Sequence, residues 1–316
     1  MTIAFIFPGQ GSQSVGMGKK LAADFSVARD VFAEIDEALG QNLSQLMFEG
    51  PQEELDLTSN TQPAIMAVSM AVLRVMESLG LDIKRHVKFV AGHSLGEYSA
   101  LCAAGMFSLS DTAKLLRIRG QAMQQAVPAG KGAMAAIIGC EENELAMICD
   151  KAATKGQVCQ IANDNGGGQL VISGSADAVA AAVNLAKEEL RAKKAVFLAV
   201  SAPFHCALMH NAALTMEKAL ANVVKSEPKI ELIPNISVSP QKDLDIIVDL
   251  LVQQVTGRVR WRETIEWFAA NGVNSLYEIG WGQILTKLTK RIDKNLSAYS
   301  VYEAEAIETS LKALNL

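Results

Sequence analysis

Ser94 sits in the run Gly92-His93-Ser94-Leu95-Gly96, with a glycine two residues away on either side. A hydroxyl is a weak nucleophile until its surroundings activate it, so position matters more than residue type. The apolar run VKFVA leads into the motif and the helix-like EYSA follows it. A G-x-S-x-G segment between strand and helix holds its middle residue on a sharp, strained bend. Glycines lack Cβ, so neighbouring backbone can approach closely there. Ser94 would then stand at the carboxyl end of a strand with its hydroxyl exposed. The Leu95 amide, at the new helix's N-terminus, would point to the same spot and supply half of an oxyanion hole. The bare pattern also occurs as a glycine-lined turn with an incidental serine. The strand–turn–helix context favours the catalytic reading.

Serine chemistry needs a base, and histidine is the obvious one. His93 adjoins Ser94, and a tight turn points adjacent side chains apart. His205 lies in SAPFHCALM, further along the chain. A return of the chain over the mouth of the sheet would bring it to Ser94, and a histidine satisfied by local hydrogen bonds is the alternative. His205 and His210 lack the i, i+4 spacing of a helical zinc motif and have no accompanying ligand cluster, so no metal is expected. Gln10, in PGQGSQ after the first strand, occupies a second strand-to-helix turn and could add a polar contact beside Ser94. That turn lacks both the Rossmann glycine spacing and a P-loop lysine.

Arg119 is placed by periodicity. The segment 111–127 reads as a helix, with Ser110 as its expected N-cap. The i±3 and i±4 neighbours of Arg119 are Leu115, Leu116, Ala122 and Met123, so Arg119 faces inward, unlike Arg117. A buried guanidinium needs an anionic or equivalent partner. Two partners are open: a protein carboxylate in a structural ion pair, or an anion brought by the substrate.

The surrounding elements must hold these residues. TIAFIF and VKFVA read as strands, and TQPAIMAVSMAVLRVMESLG as a buried helix. GMGKKLAADFSVARDVFAEIDEALG carries a helical apolar spacing. Alternating strands and helices predict a parallel sheet covered on both faces. Residues 131–200 read differently: KGAMAAIIG, QVCQIANDN, QLVISGS and AVFLAVS as strands, with helices after the first and third. That β-α-β-β-α-β order is the ferredoxin-like unit. The expected fold is therefore α/β: a large parallel-sheet subdomain, 1–128 and 201–316, with a ferredoxin-like insertion at 129–200.

Bulk properties bound the function. A chain of 316 residues, half hydrophobic and one-fifth charged, can bury a large core. A net charge of −5 leaves no electrostatic footprint for nucleic acid. No apolar run reaches membrane-spanning length, and the N-terminus reads as a strand rather than a signal peptide. Five scattered cysteines without a C-x-x-C pair suit reduced thiols and a cytoplasmic location.

FPGQGSQ (7–13), TQPAI (61–65), GHSLGEYSAL (92–101), RGQAMQ (119–124), APFHCALM (202–209) and QQVTGRVRW (253–261) occur in that order. Together they resemble the malonyl-CoA:acyl carrier protein transacylases of type II fatty acid synthesis, over nearly the whole chain. The resemblance implies an α/β-hydrolase-like large subdomain with a ferredoxin-like insertion, in agreement with the reading above. It implies Ser94 as nucleophile, His205 as base, Gln10 and the Leu95 amide as oxyanion hole, and Arg119 as partner of a malonyl carboxylate. Gln254 falls where the histidine is oriented, so a Ser–His dyad would suffice. His93, Gln62, Met123 and Phe204 fall near the site, and Leu95 and Phe204 resemble the malonyl rather than the methylmalonyl pattern. The substrates would be malonyl-CoA and acyl carrier protein, with no cofactor. Lys290 and Arg291 are carrier-docking candidates. Two departures stand out: Trp281 where proline is usual, and TGRV (256–259) without the common Asn-Pro. A serine esterase is the rival reading, but it usually carries Ser, then Asp or Glu, then a late His, whereas about 110 residues follow His205 and the inward Arg119 would favour an anionic acyl group. A non-catalytic carrier-binding module is the other rival, disfavoured by an intact Ser94 and His205.

Overall fold

The computed structural model describes residues 2–154 and 156–316. Two sheets organise it. The larger has five strands: β1 (Ile3–Phe7), β2 (Phe89–Gly92), β7 (Glu231–Leu232), β8 (Ser275–Ile279) and β9 (Ser297–Val301). Their order is β7-β2-β1-β8-β9, and every neighbouring pair is parallel. Every residue of β1, β2 and β8 is buried, as a sheet covered on both faces requires. β1 and β2 lie side by side, with Phe7 opposite Gly92. The turns that follow them, carrying Gln10 and Ser94, therefore leave the same edge of the sheet at neighbouring positions. Ligand sites in open α/β sheets form at such carboxyl ends.

The smaller sheet comprises β3 (Gly132–Ile138), β4 (Cys159–Asp164), β5 (Gln169–Ser175) and β6 (Lys194–Phe197), in the antiparallel order β4-β5-β3-β6. Helices Glu142–Ala152 and Ala176–Glu188 fill the crossovers, giving the ferredoxin-like arrangement. Leu145, Ile148, Ile172, Val179 and their neighbours form a core of their own, separate from that of the large sheet. The small sheet meets the large subdomain at Val259, which lies between helices Leu244–Thr256 and Trp261–Ala270 and beside Asn163 of β4 in a parallel bridge. Val259 N donates to Ala162 O at 2.8 Å and Asp164 N to Val259 O at 2.9 Å.

Two long helices shape the site. Thr58–Ser78 is buried on nearly all sides, so its apolar character runs around the whole helix. Leu109–Gln125 packs against it at Gly120, where a Cβ would lie 2.5 Å from Thr58 O. Only a glycine lets the two backbones come that close.

Three local expectations need correction. The Arg119 helix begins at Leu109, and its N-cap is Ser108, whose hydroxyl accepts from Asp111 N at 3.0 Å. Ser110 already lies inside the helix and donates to Glu34 Oε1 instead. The helical spacing after Gly16 covers two helices, Lys19–Asp24 and Ser26–Leu39, because Phe25 is extended at φ −127°. The last strand of the small sheet ends at Phe197, so 198–201 run as a connection toward His205.

No helix among the described residues is long and apolar enough to cross a membrane.

Candidate active site

Ser94 has φ 54°, left-handed backbone that a non-glycine residue adopts only when its surroundings enforce it. The flanking glycines are the enforcement. A Cβ on Gly92 would lie 1.9 Å from Gly96 C, and one on Gly96 would lie 2.2 Å from Phe7 O. The bend is thus too tight for side chains on either side of Ser94. Asn235 secures it further: its Oδ1 accepts from Ser94 N at 2.9 Å and its Nδ2 donates to Gly92 O at 2.7 Å. Helix Gly96–Ala103 starts directly after Leu95, so the Leu95 amide is among the donors that no helical carbonyl can satisfy.

His205 closes on this turn from 111 residues away. Its own φ is 57°, and its Nε2 lies 2.7 Å from Ser94 Oγ. On the other side, Nδ1 lies 2.9 Å from Gln254 O and 3.1 Å from Gly257 O. Carbonyls only accept, so Nδ1 carries the hydrogen and Nε2 offers a lone pair to Ser94. Burial, with the nearby Arg119 charge, lowers the imidazole to about 3, so it is neutral at physiological pH. The TGRV segment explains itself here. Gly257 presents its carbonyl to His205, and a Cβ there would lie 2.5 Å from Ile236 Cδ1.

Arg119 is 1% exposed. Its Nη1 donates to Gln62 Oε1 at 2.8 Å, and its Nη2 to Gln254 Oε1 at 2.8 Å and Ser94 Oγ at 3.1 Å. All three acceptors are neutral, and among the described residues no carboxylate forms an ion pair with it. Its Nε is buried with no partner. The face of Tyr98 lies 5.7 Å from the guanidinium carbon. Gln62 is held in turn by Met123, whose sulfur lies 3.8 Å from Gln62 Nε2.

A cleft of about 340 Å³ opens over these groups, lined by Gln10, Gln62, Ser94, Arg119, Phe204 and His205 among others. Gln10 Nε2 donates to Thr58 Oγ1 at 3.3 Å, and Thr58 is 3.0 Å from Ser201 Oγ on the segment returning from the small sheet. His93 turns away from Ser94, as its place on the bend dictates. Its Nε2 lies 2.9 Å from Asn165 Oδ1, across the subdomain boundary, and its ring rests on Trp261. Trp281 donates Nε1 to Ser14 Oγ at 2.8 Å and packs edge-on against Tyr302. It thereby ties the loop bearing Gln10 to the end of β8. No group of three or more metal-ligating side chains occurs among the described residues.

A serine-bearing turn, a neutral imidazole and a guanidinium with no ion-pair partner meeting at one hydroxyl suit acyl transfer from an anionic acyl donor. A family model described as "Acyl transferase domain" matches residues 4–303. The chain belongs to the acyl transferase domain family. This acyl transferase is 44% identical over 309 residues, 98% of each chain, to the Escherichia coli (strain K12) protein named malonyl CoA-acyl carrier protein transacylase. It superposes with TM-score 0.98 and 61% identity, over 100% of both chains, on an acyl-carrier-protein-S-malonyltransferase from Bartonella henselae. It also matches a malonyl-transacylase solved in complex with its type II PKS acyl-carrier protein, with TM-score 0.95, 41% identity and coverage of 99% and 100%.

Sequence reasoning did not single out Asn235, Glu97 or Thr58 in this acyl transferase. Asn235 stands alone in its segment and meets Ser94 only through the fold. Glu97 was within sight, inside the GHSLGEYSAL motif. Its signal is a carboxylate next to Tyr98 on a helix whose first six residues are all buried.

Proposed function

We propose that the chain transfers the malonyl group from malonyl-CoA to the pantetheine thiol of acyl carrier protein, through an ester on Ser94. One observation carries this reading: Ser94 Oγ lies within hydrogen-bond reach of both a neutral imidazole and a buried guanidinium that lacks a carboxylate partner. The malonyl carboxylate is the missing anion. Arg119 can hold it through parallel N–H donors, which sets the thioester carbonyl beside Ser94.

In the first half-reaction Ser94 Oγ attacks the thioester carbon, and its proton passes to His205 Nε2. The carbonyl oxygen becomes an oxyanion that the Leu95 amide and Gln10 stabilise. Collapse breaks the C–S bond, and the CoA sulfur leaves with the proton from His205. In the second half-reaction the pantetheine thiol gives its proton to His205, attacks the seryl ester and regenerates Ser94. The carbonyls of Gln254 and Gly257 hold His205 in the required tautomer throughout, so a dyad suffices. The serine-esterase reading would place an acid at Nδ1, where two carbonyls stand.

This chemistry calls for no metal or resident cofactor. Free cysteines and soluble substrates fit a cytoplasmic enzyme. The carrier protein approaches the cleft mouth, with Lys290 and Arg291 of helix Ile284–Ile292 as its docking charges. The test is steady-state kinetics with both substrates varied. Parallel double-reciprocal lines, lost together with all transfer in Ser94→Ala, are expected. Intersecting lines, or wild-type transfer by Ser94→Ala, would contradict the proposal.

A further inference from the structure

Arg119 keeps a full charge out of water on three neutral acceptors. Such a charge is strongly disfavoured without compensation. Among the described residues the carboxyl group that acts on it is Glu97, which is 1% exposed. The two do not touch. Gln254 stands between them, its Oε1 accepting from Arg119 Nη2 at 2.8 Å and its Nε2 donating to Glu97 Oε2 at 3.0 Å. Glu97 Oε2 also accepts from Asn235 N at 2.9 Å. Both of those donors would be satisfied equally well by a neutral amide oxygen. Hydrogen bonding therefore does not explain why a carboxyl group is buried here, while its charge does.

The arrangement has a consequence for the substrate. A malonyl carboxylate seated on Arg119 would lie one amide group from Glu97, at roughly 8 Å. Two like charges at that distance in a partly shielded interior repel enough to weaken binding about tenfold or more. We propose that Glu97 makes the preference for the anionic acyl group depend on pH: ionised, it supplies the counter-charge of Arg119 in the empty site, and it takes up a proton from solvent when a substrate carboxylate replaces it. The proposal rests on the malonyl-transfer reading and names the group that regulates that site. Protonation leaves the geometry intact, since the unprotonated oxygen still accepts from Asn235 and Gln254.

Burial raises the Glu97 carboxyl to about 7, where proton uptake is available near neutrality. The charged and titratable groups facing it are Arg119 from helix Leu109–Gln125 and the phenol of Tyr98 on its own helix, while Asn235 and Gln254 are neutral. Tyr98 is pushed upward by burial and stays protonated. His205, beyond Ser94, is already neutral. Glu97 is thus the group in this cluster that changes charge around pH 7.

The test measures acylation kcat/KM for malonyl-CoA and acetyl-CoA between about pH 6 and 8.5, and reads their ratio. Titration of His205 or of any group that acts on both substrates cancels in that ratio. In wild type the malonyl preference should fall about tenfold as pH rises, with a midpoint near 7. In Glu97→Gln it should stay at the low-pH level throughout. A wild-type ratio flat across the range overturns the proposal, with no variant needed. A Glu97→Gln profile that tracks wild type, or one that loses both substrates in parallel, also overturns it. The same samples are checked for malonyl ester on wild-type Ser94. No ester would sink the transfer reading and this proposal together, whereas ester with a flat ratio sinks this proposal alone.

Discussion

In the proposed reaction Arg119 is the residue on which substrate choice turns, and its surroundings predict an unusual mutant. Removing one member of a buried charge pair lowers binding by roughly 2–5 kcal/mol, about one and a half to three and a half decades in malonyl kcat/KM. Acetyl-CoA has no distal carboxylate, so Arg119→Ala should lose malonyl transfer and gain relatively on acetyl. Arg119→Lys keeps the charge without the planar fork and should recover only part. Since no protein carboxylate forms an ion pair with Arg119, and Glu97 can take up a proton once that charge is gone, Arg119→Ala should lower thermal stability only modestly. A parallel loss on both substrates with a large drop in Tm would mean that the arginine holds the fold. Its inward direction was legible in the sequence, because Leu115, Leu116, Ala122 and Met123 surround it at helical spacing. Its partners were not. Gln62 and Gln254 lie 57 and 135 residues away, and periodicity within one helix says nothing about which polar groups meet it.

At the scale of elements, strand and helix identities came through because their apolar periods differ, and their ends came through less well. Ser110 reads as the cap in the sequence, whereas the reach of Ser108 Oγ to the Asp111 amide, which no local pattern announces, puts the cap two residues earlier. The break at Phe25 is likewise invisible, since apolar spacing continues across it. Gly120 shows what an element contact contributes to the site. A Cβ there would meet Thr58 O at 2.5 Å and Ser59 Cα at 2.7 Å, both backbone, so the two long helices would have to separate. Overpacking of this kind destabilises by about 1–3 kcal/mol. It would also draw Arg119 away from Gln62, which the other helix carries. Gly120→Ala should therefore lower the urea midpoint and reduce malonyl preference over acetyl together. A lowered midpoint with unchanged preference would show that the helix spacing does not position the guanidinium.

Across the whole molecule, the Ser94–His205 contact depends on bringing the small sheet's exit segment back over the large sheet. The seam holds Arg262 against Asp164 at 2.7 Å, Arg258 against Glu142, and His93 against Asn165 at 2.9 Å. Sequence motifs on either side of the insertion suggested this closure, but the seam residues carry no local pattern. Lys290 and Arg291 lie exposed near that seam, and Arg291 Nη1 reaches Gln169 Oε1 at 3.1 Å. An overall negative chain must attract an acidic carrier protein through a local patch. Charge reversal at both residues should raise KM for carrier protein and flatten its salt dependence, while acylation from malonyl-CoA stays normal. Unchanged carrier kinetics at low salt would move the docking surface elsewhere. All of these expectations presuppose one covalent state of one side chain. The most direct test is to mix the protein with malonyl-CoA, quench, and map the adduct by peptide mass spectrometry, with and without a chase of holo acyl carrier protein. A malonyl ester on the peptide bearing Ser94 that vanishes on the chase is the predicted result. Transfer to carrier protein without any adduct at Ser94 would contradict the account.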